Sequence, residues 1–159
     1  HRMVKDYTEK LYLPAAIRTV KIIDSQYELV KKLVSWKEHV IKNWDQVFIS
    51  ANQDIHGLTS HSILSGQRLI LSATVHLGAF QPEDVIVEAY YGSINNDRIV
   101  NAKTKEMKQI RQVDNSEYYY ECEIVLQDGG EYGYTFRTIP RHPNLMNKFD
   151  MSLIKWTNS

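Results

Sequence analysis

The chain has a single cysteine, Cys122, among its 159 residues. One thiol cannot close an internal disulfide, so the fold is not a cross-linked scaffold and a reducing, cytoplasmic setting fits. Net charge is missing as well: 19 Lys plus Arg balance 19 Asp plus Glu. A balanced chain lacks the basic excess that neutralises phosphates, so neither nucleic acid nor an anionic membrane is an expected partner. No run approaches the roughly 20 apolar residues that span a bilayer. The opening residues, His1 to Tyr12, are charged and amphipathic, unlike the apolar stretch of a secretory leader. The first residue is His1 rather than methionine, and the natural protein is expected to extend upstream. No glycine-rich stretch leads from a strand into a helix, which excludes a phosphate loop.

What is present suits one globular domain with an appendage: 43% hydrophobic and 24% charged residues. The pattern changes once along the chain. Residues 1–45 read as a helical segment. Met3, Val4, Tyr7 and Leu11 recur at helical spacing, and Leu13-Pro14 is expected to end that helix. A connector through Arg18 follows, then a second helix from Asp24 or Ser25. Its apolar stripe is Tyr27, Val30, Leu33, Val34, Val40, Ile41 and Trp44. Such a helix needs something to cover that face.

Residues 46–159 read as strands. The period becomes two in Val47–Ile49, Leu69–Leu77, Val85–Tyr91, Lys105–Val113, Tyr118–Leu126, Tyr132–Ile139 and Phe149–Trp156. Turn signals separate them: Gln81-Pro82-Glu83-Asp84, Asn95-Asn96-Asp97, Asp114-Asn115-Ser116, Asp128-Gly129-Gly130 and Pro140 to Asn147. Gly129-Gly130 is expected to make a tight hairpin. About seven strands with these breaks predict an all-β, immunoglobulin-like sandwich, giving α+β content overall. Its expected core includes Leu71, Val75, Val87, Cys122, Ile124 and Phe136.

Catalytic constellations are scarce. His56 and His61 are five residues apart, poor spacing for one helical face, and read as a solvated loop rather than a metal site. No serine sits in a G-x-S-x-G elbow. Cys122 falls on the apolar phase of its strand and reads as a buried structural thiol. Glu121 and Glu123 share one strand face and read as surface charges. Arg137, Arg141 and His142 form a local basic group, either an anion site or a surface corner. No catalytic, cofactor-binding or metal-binding residue is assigned. Tyrosines concentrate in three strands. Tyr90, Tyr119, Tyr132 and Tyr134 are candidates for stacking against sugar rings, with ordinary half-buried sheet tyrosines as the alternative.

Longer motifs carry a resemblance. Residues 2–15, from Arg2-Met3-Val4-Lys5-Asp6-Tyr7 to Pro14-Ala15, resemble a segment near the end of the catalytic region of bacterial and archaeal α-glucan phosphorylases. So do Ser35-Trp36-Lys37, Asn43-Trp44, Pro82-Glu83-Asp84-Val85, Tyr90-Tyr91-Gly92, Gly130-Glu131-Tyr132-Gly133-Tyr134-Thr135 and Pro140-Arg141-His142-Pro143. The resemblance covers nearly the whole chain. It implies a parent enzyme that uses pyridoxal phosphate and cleaves terminal α-1,4 bonds with phosphate, releasing glucose 1-phosphate. The family's cofactor lysine and phosphate-site residues lie upstream of these motifs, so none is carried over and no cofactor is expected in this segment. Three roles follow for it: a non-catalytic C-terminal segment packed on the remainder of the enzyme, a carbohydrate-binding module for α-glucan, or a structural domain for subunit contact in an oligomer.

Overall fold

The computed structural model describes residues 13–52, 61–63, 66–127 and 129–157. They fall into two compact units that divide between Ile41 and Lys42.

The first unit carries helix α1, Leu13–Asn43. Pro14 lies in the first turn of this helix. A proline at that position gives up only an N–H without an intrahelical acceptor, and its fixed φ suits the helix. The expected connector through Arg18 and the expected start at Asp24 or Ser25 are thereby corrected, since all these residues are helical. The expected helix through Met3 and Leu11 lies outside the described residues. Tyr27, Val30, Val34 and Ile41 are exposed. Their spacing of three, four and seven residues puts them on one side of the helix.

The second unit takes in the last two residues of that helix and then a tight 3-10 turn, Trp44–Gln46. Trp44 is buried and meets Phe80 edge-on, with ring centroids 5.7 Å apart. Among the described residues the strands are β1 (Phe48–Ala51), β2 (His61–Ile63), β3 (Arg68–His76), β4 (Val85–Asn95), β5 (Arg98–Glu106), β6 (Lys108–Asp114), β7 (Glu117–Val125), β8 (Gly130–Pro140) and β9 (Lys155–Trp156). They form two antiparallel sheets. One runs β1-β3-β7-β6; the other runs β2-β8-β4-β5, with β9 also paired to β8.

The period of two buries one face of each sheet. From the first come Leu71, Ala73, Val75, Tyr118, Tyr120, Cys122 and Ile124; from the second, Val85, Val87, Ala89 and Phe136. All six expected core residues, Leu71, Val75, Val87, Cys122, Ile124 and Phe136, are among them.

Turn chemistry accounts for several links. Asn96 and Asp97 both have positive φ, 49° and 58°. That is the demand of a two-residue type I′ turn, here joining β4 to β5. Before β4, Gln81 N–H donates to Asp84 Oδ2 at 2.9 Å, capping the short turn Pro82–Asp84.

Three expectations change in three dimensions, and strand β2 is added. The run Lys105–Val113 is two strands, because Met107 is buried and its N–H donates to Val87 O at 2.8 Å. The chain crosses there from the sheet of β4 to that of β7. Gly129-Gly130 closes no hairpin: β7 pairs with β3 and β6, whereas β8 pairs with β4, β2 and β9. The run Phe149–Trp156 keeps only Lys155–Trp156 as strand. Asp150 accepts from Met146 N–H at 2.8 Å and from the Asn147 side-chain amide at 2.5 Å, and such local bonds compete with a ladder. Strand β2, too short to signal itself in the sequence, pairs with β8 from His61↔Tyr132 to Ile63↔Gly130.

Candidate functional site

The four candidate tyrosines do not form one row. Alternation along β8 and its register with β4 put Tyr132 and Tyr134 on the side that carries Phe136, opposite Ser93 and Tyr91. Tyr90 lies on the opposite side of the same sheet, and Tyr119 belongs to the other sheet. Tyr134 is buried and meets Phe136 edge-on at 5.6 Å, while Tyr90, Tyr119 and Tyr132 are half-buried. Tyr119 is covered by the Arg111 guanidinium, 5.0 Å from its ring centroid.

On the outer side of β4 and β8 a charged cluster lies under aromatic rings. Register places Glu88 opposite Arg137. Both are buried, at 5% and 8% exposure. Arg137 Nε and Nη2 donate to Glu88 Oε2 at 2.8 and 2.7 Å, and Lys148 Nζ donates to Glu88 Oε1 at 2.6 Å. The Arg137 guanidinium lies 5.3 to 5.6 Å from the ring centroids of Phe149, Trp156 and Tyr90. A carboxylate removed from water needs such partners, and the rings exclude solvent while attracting the cation. The cluster ties the segment from Lys148 to Trp156 to the sheet.

A cleft of about 400 Å³, open solvent included, lies between β4, β5, β8 and the end of β7. Tyr91, Ser93, Asn101, Lys103, Gln127 and Tyr132 supply its polar lining. Two backbone features shape it. The β4–β5 register shifts between Tyr91 and Ser93, around Gly92, and Asn101 holds a positive φ of 49°. A bulge re-aims the side chains beside it. Lys103 Nζ donates to Gln127 Oε1 at 3.5 Å. Burial, reinforced by Cys122, raises the Tyr91 phenol above its ordinary 10.0 and keeps the hydroxyl protonated.

The remaining sequence candidates scatter. His56 lies outside the described residues, and His61 is in β2. Among the described residues no group of three His, Cys, Asp or Glu could hold a metal ion. Arg137, Arg141 and His142 do not act together: Arg137 is on Glu88, Arg141 lies 3.6 Å from Glu106, and His142 Nδ1 accepts from Asn144 N–H. Cys122 is buried as expected, and burial pushes its thiol up to about 11. The sequence reading missed Tyr91, Asn101 and Gln127, which only the meeting of the two sheets assembles. It also missed Glu88, whose one signal is its position between Val87 and Ala89 in an otherwise apolar strand.

Among the described residues the architecture is α+β, a long helix followed by a domain of two antiparallel sheets. Residues 44–158 match the glycogen phosphorylase C-terminal domain, and the chain belongs to that family. It is 31% identical over 154 residues to a glycogen phosphorylase of Mycobacterium tuberculosis, covering 96% of this chain and 18% of that protein. A maltodextrin phosphorylase of Thermococcus litoralis is 30% identical over 160 residues, 98% of this chain and 18% of its own length. The chain therefore spans 18% of the length of the relatives it matches. No described helix is long and apolar enough to cross a membrane.

Proposed function

We propose that this chain is the non-catalytic C-terminal part of a cytoplasmic α-glucan phosphorylase that uses pyridoxal phosphate and releases glucose 1-phosphate. The match of residues 44–158 to the C-terminal domain family carries this reading. Residues 1–45 end the catalytic region, and residues 46–159 form the accessory domain. The exposed helix side of Tyr27, Val30, Val34 and Ile41 then meets the remainder of the enzyme. Immunoglobulin topology suits the strand orders: β1-β3-β7-β6 corresponds to an A-B-E-D sheet, and β9-β8-β4-β5 to G-F-C-C′.

Three of the described lysines are ill placed for the cofactor. Pyridoxal phosphate needs a lysine amine in an enclosed pocket with donors for its phosphate. Lys148 and Lys155 are engaged by Glu88 and Asp45, and Lys103 is on an exposed edge strand. The isolated chain should give no saturable absorbance change with pyridoxal phosphate and no glucose 1-phosphate from maltodextrin plus phosphate. The whole protein should do both. Turnover by the isolated chain would overturn the non-catalytic assignment, and a whole protein without phosphorolysis would overturn the parent. A second reading, a glucan-holding module, is favoured by the cleft at Tyr91 and Tyr132. Of the four candidate tyrosines it assigns sugar contact to Tyr132.

A further inference from the structure

We infer that the cleft between Tyr91, Asn101, Gln127 and Tyr132 is a binding site for a short stretch of α-linked glucan. The identity of the sugar rests on the proposed parent enzyme; the choice of a neutral polyhydroxyl ligand rests on the cleft itself.

Its chemistry selects against other ligands. Among the described lining residues there is one cation, Lys103, and no carboxylate. A phosphate or nucleotide site calls for several converging donors with positive charge, and a cationic ligand calls for acid groups. Two side-chain amides, Asn101 and Gln127, and three hydroxyls, Ser93, Tyr91 and Tyr132, offer both donors and acceptors. That mixture suits neighbouring sugar hydroxyls, each of which donates and accepts. The half-buried rings of Tyr91 and Tyr132 add apolar surface for the C–H faces of a pyranose.

The backbone departs from regular pairing beside the cleft. Asn101 adopts left-handed angles within β5, which its short polar side chain tolerates, at the register shift between β4 and β5. Gly92 sits at the bulge beside Tyr91, and a Cβ there would meet Val100 O at 2.4 Å. Regular β4–β5 pairing would not need either feature.

The test is NMR shift mapping on the 159-residue chain titrated with maltoheptaose. Saturable shifts should appear at Tyr91, Ser93, Asn101, Gln127 and Tyr132, with a Kd on the order of millimolar because the contact is small. Tyr132→Ala should weaken binding about tenfold or more. Gln127→Ala, at an exposed position that spares the core, should do the same. Tyr119→Ala and Tyr90→Ala should leave the titration unchanged. Shifts confined to the Phe149 and Trp156 face, or no saturable shift, overturn the site. An equal response to β-linked cellohexaose overturns the α-glucan assignment. Phosphorolysis by the whole protein is measured separately, so loss of the cleft and loss of the parent reading give different results.

Discussion

Arg137 and Glu88, facing each other across β8 and β4, share one carboxylate oxygen between two guanidinium nitrogens at 2.8 and 2.7 Å. Lys148 holds the second oxygen at 2.6 Å. One acid thus anchors two cations, one from the sheet and one from the segment that covers it.

Removing the acid should be the most damaging change in this cluster. Glu88→Ala leaves the buried Arg137 unpaired, a situation that costs about 3–5 kcal/mol. Lys148→Ala leaves Glu88 paired to Arg137 but takes the partner from its second oxygen, and should cost less, about 1–3 kcal/mol. Urea denaturation of both variants checks the order. Equal losses would mean that Arg137 finds water on unpairing and that the rings do not seal the cluster.

The core phase is tested by paired substitutions on β3. Leu71→Ala, fully buried, should lose about 2–5 kcal/mol. Its neighbour Ile70 is exposed, so Ile70→Ala should stay within about 0.5 kcal/mol. A larger loss at Ile70 than at Leu71 would show the inward face to be the other one.

Gly92→Ala should be destabilising by about 1–3 kcal/mol through overpacking. The added methyl meets Val100 O at 2.4 Å and Ile99 Cγ2 at 2.9 Å, and the carbonyl is backbone that cannot swing aside. The same variant should broaden amide signals from Arg98 to Lys103 by forcing β5 away from β4. Wild-type stability and spectra would contradict the close approach.

Stability should fall in alkali. Burial raises the Cys122 thiol from 9.0 to about 11, and it raises the Tyr120 phenol above 10.0. Below pH 9.0 the thiol is protonated folded or unfolded, so its contribution is fully present. Between 9.0 and about 11 the unfolded chain loses the proton while the fold retains it, and stability declines as pH rises. Urea midpoints from about pH 8 to about pH 11 should drop, and Cys122→Ala should drop less than wild type. An identical decline in both proteins would leave the thiol without a part in it.

The sequence by itself determined which faces are apolar. In β3 and β7 the alternation of Leu71 with Ser72 and of Cys122 with Glu121 states the inward side directly, because side chains alternate on any extended strand. Asn96-Asp97 announces its own turn, since short polar side chains tolerate left-handed angles. Pairing is another matter. Gly129-Gly130 between two strands looks like a hairpin, and only the competing ladders of β3 and β4 send β7 and β8 to different sheets. Met107 looks like one position in a continuous strand until its burial against Val87 turns the chain. The cleft and the Glu88 cluster depended wholly on tertiary structure. Tyr91, Asn101, Gln127 and Tyr132 come from four separate stretches of chain, as do Glu88, Arg137, Lys148 and Trp156 from their elements. Local patterns report what a residue prefers, whereas proximity between distant stretches follows from strand order and register, which no single stretch encodes.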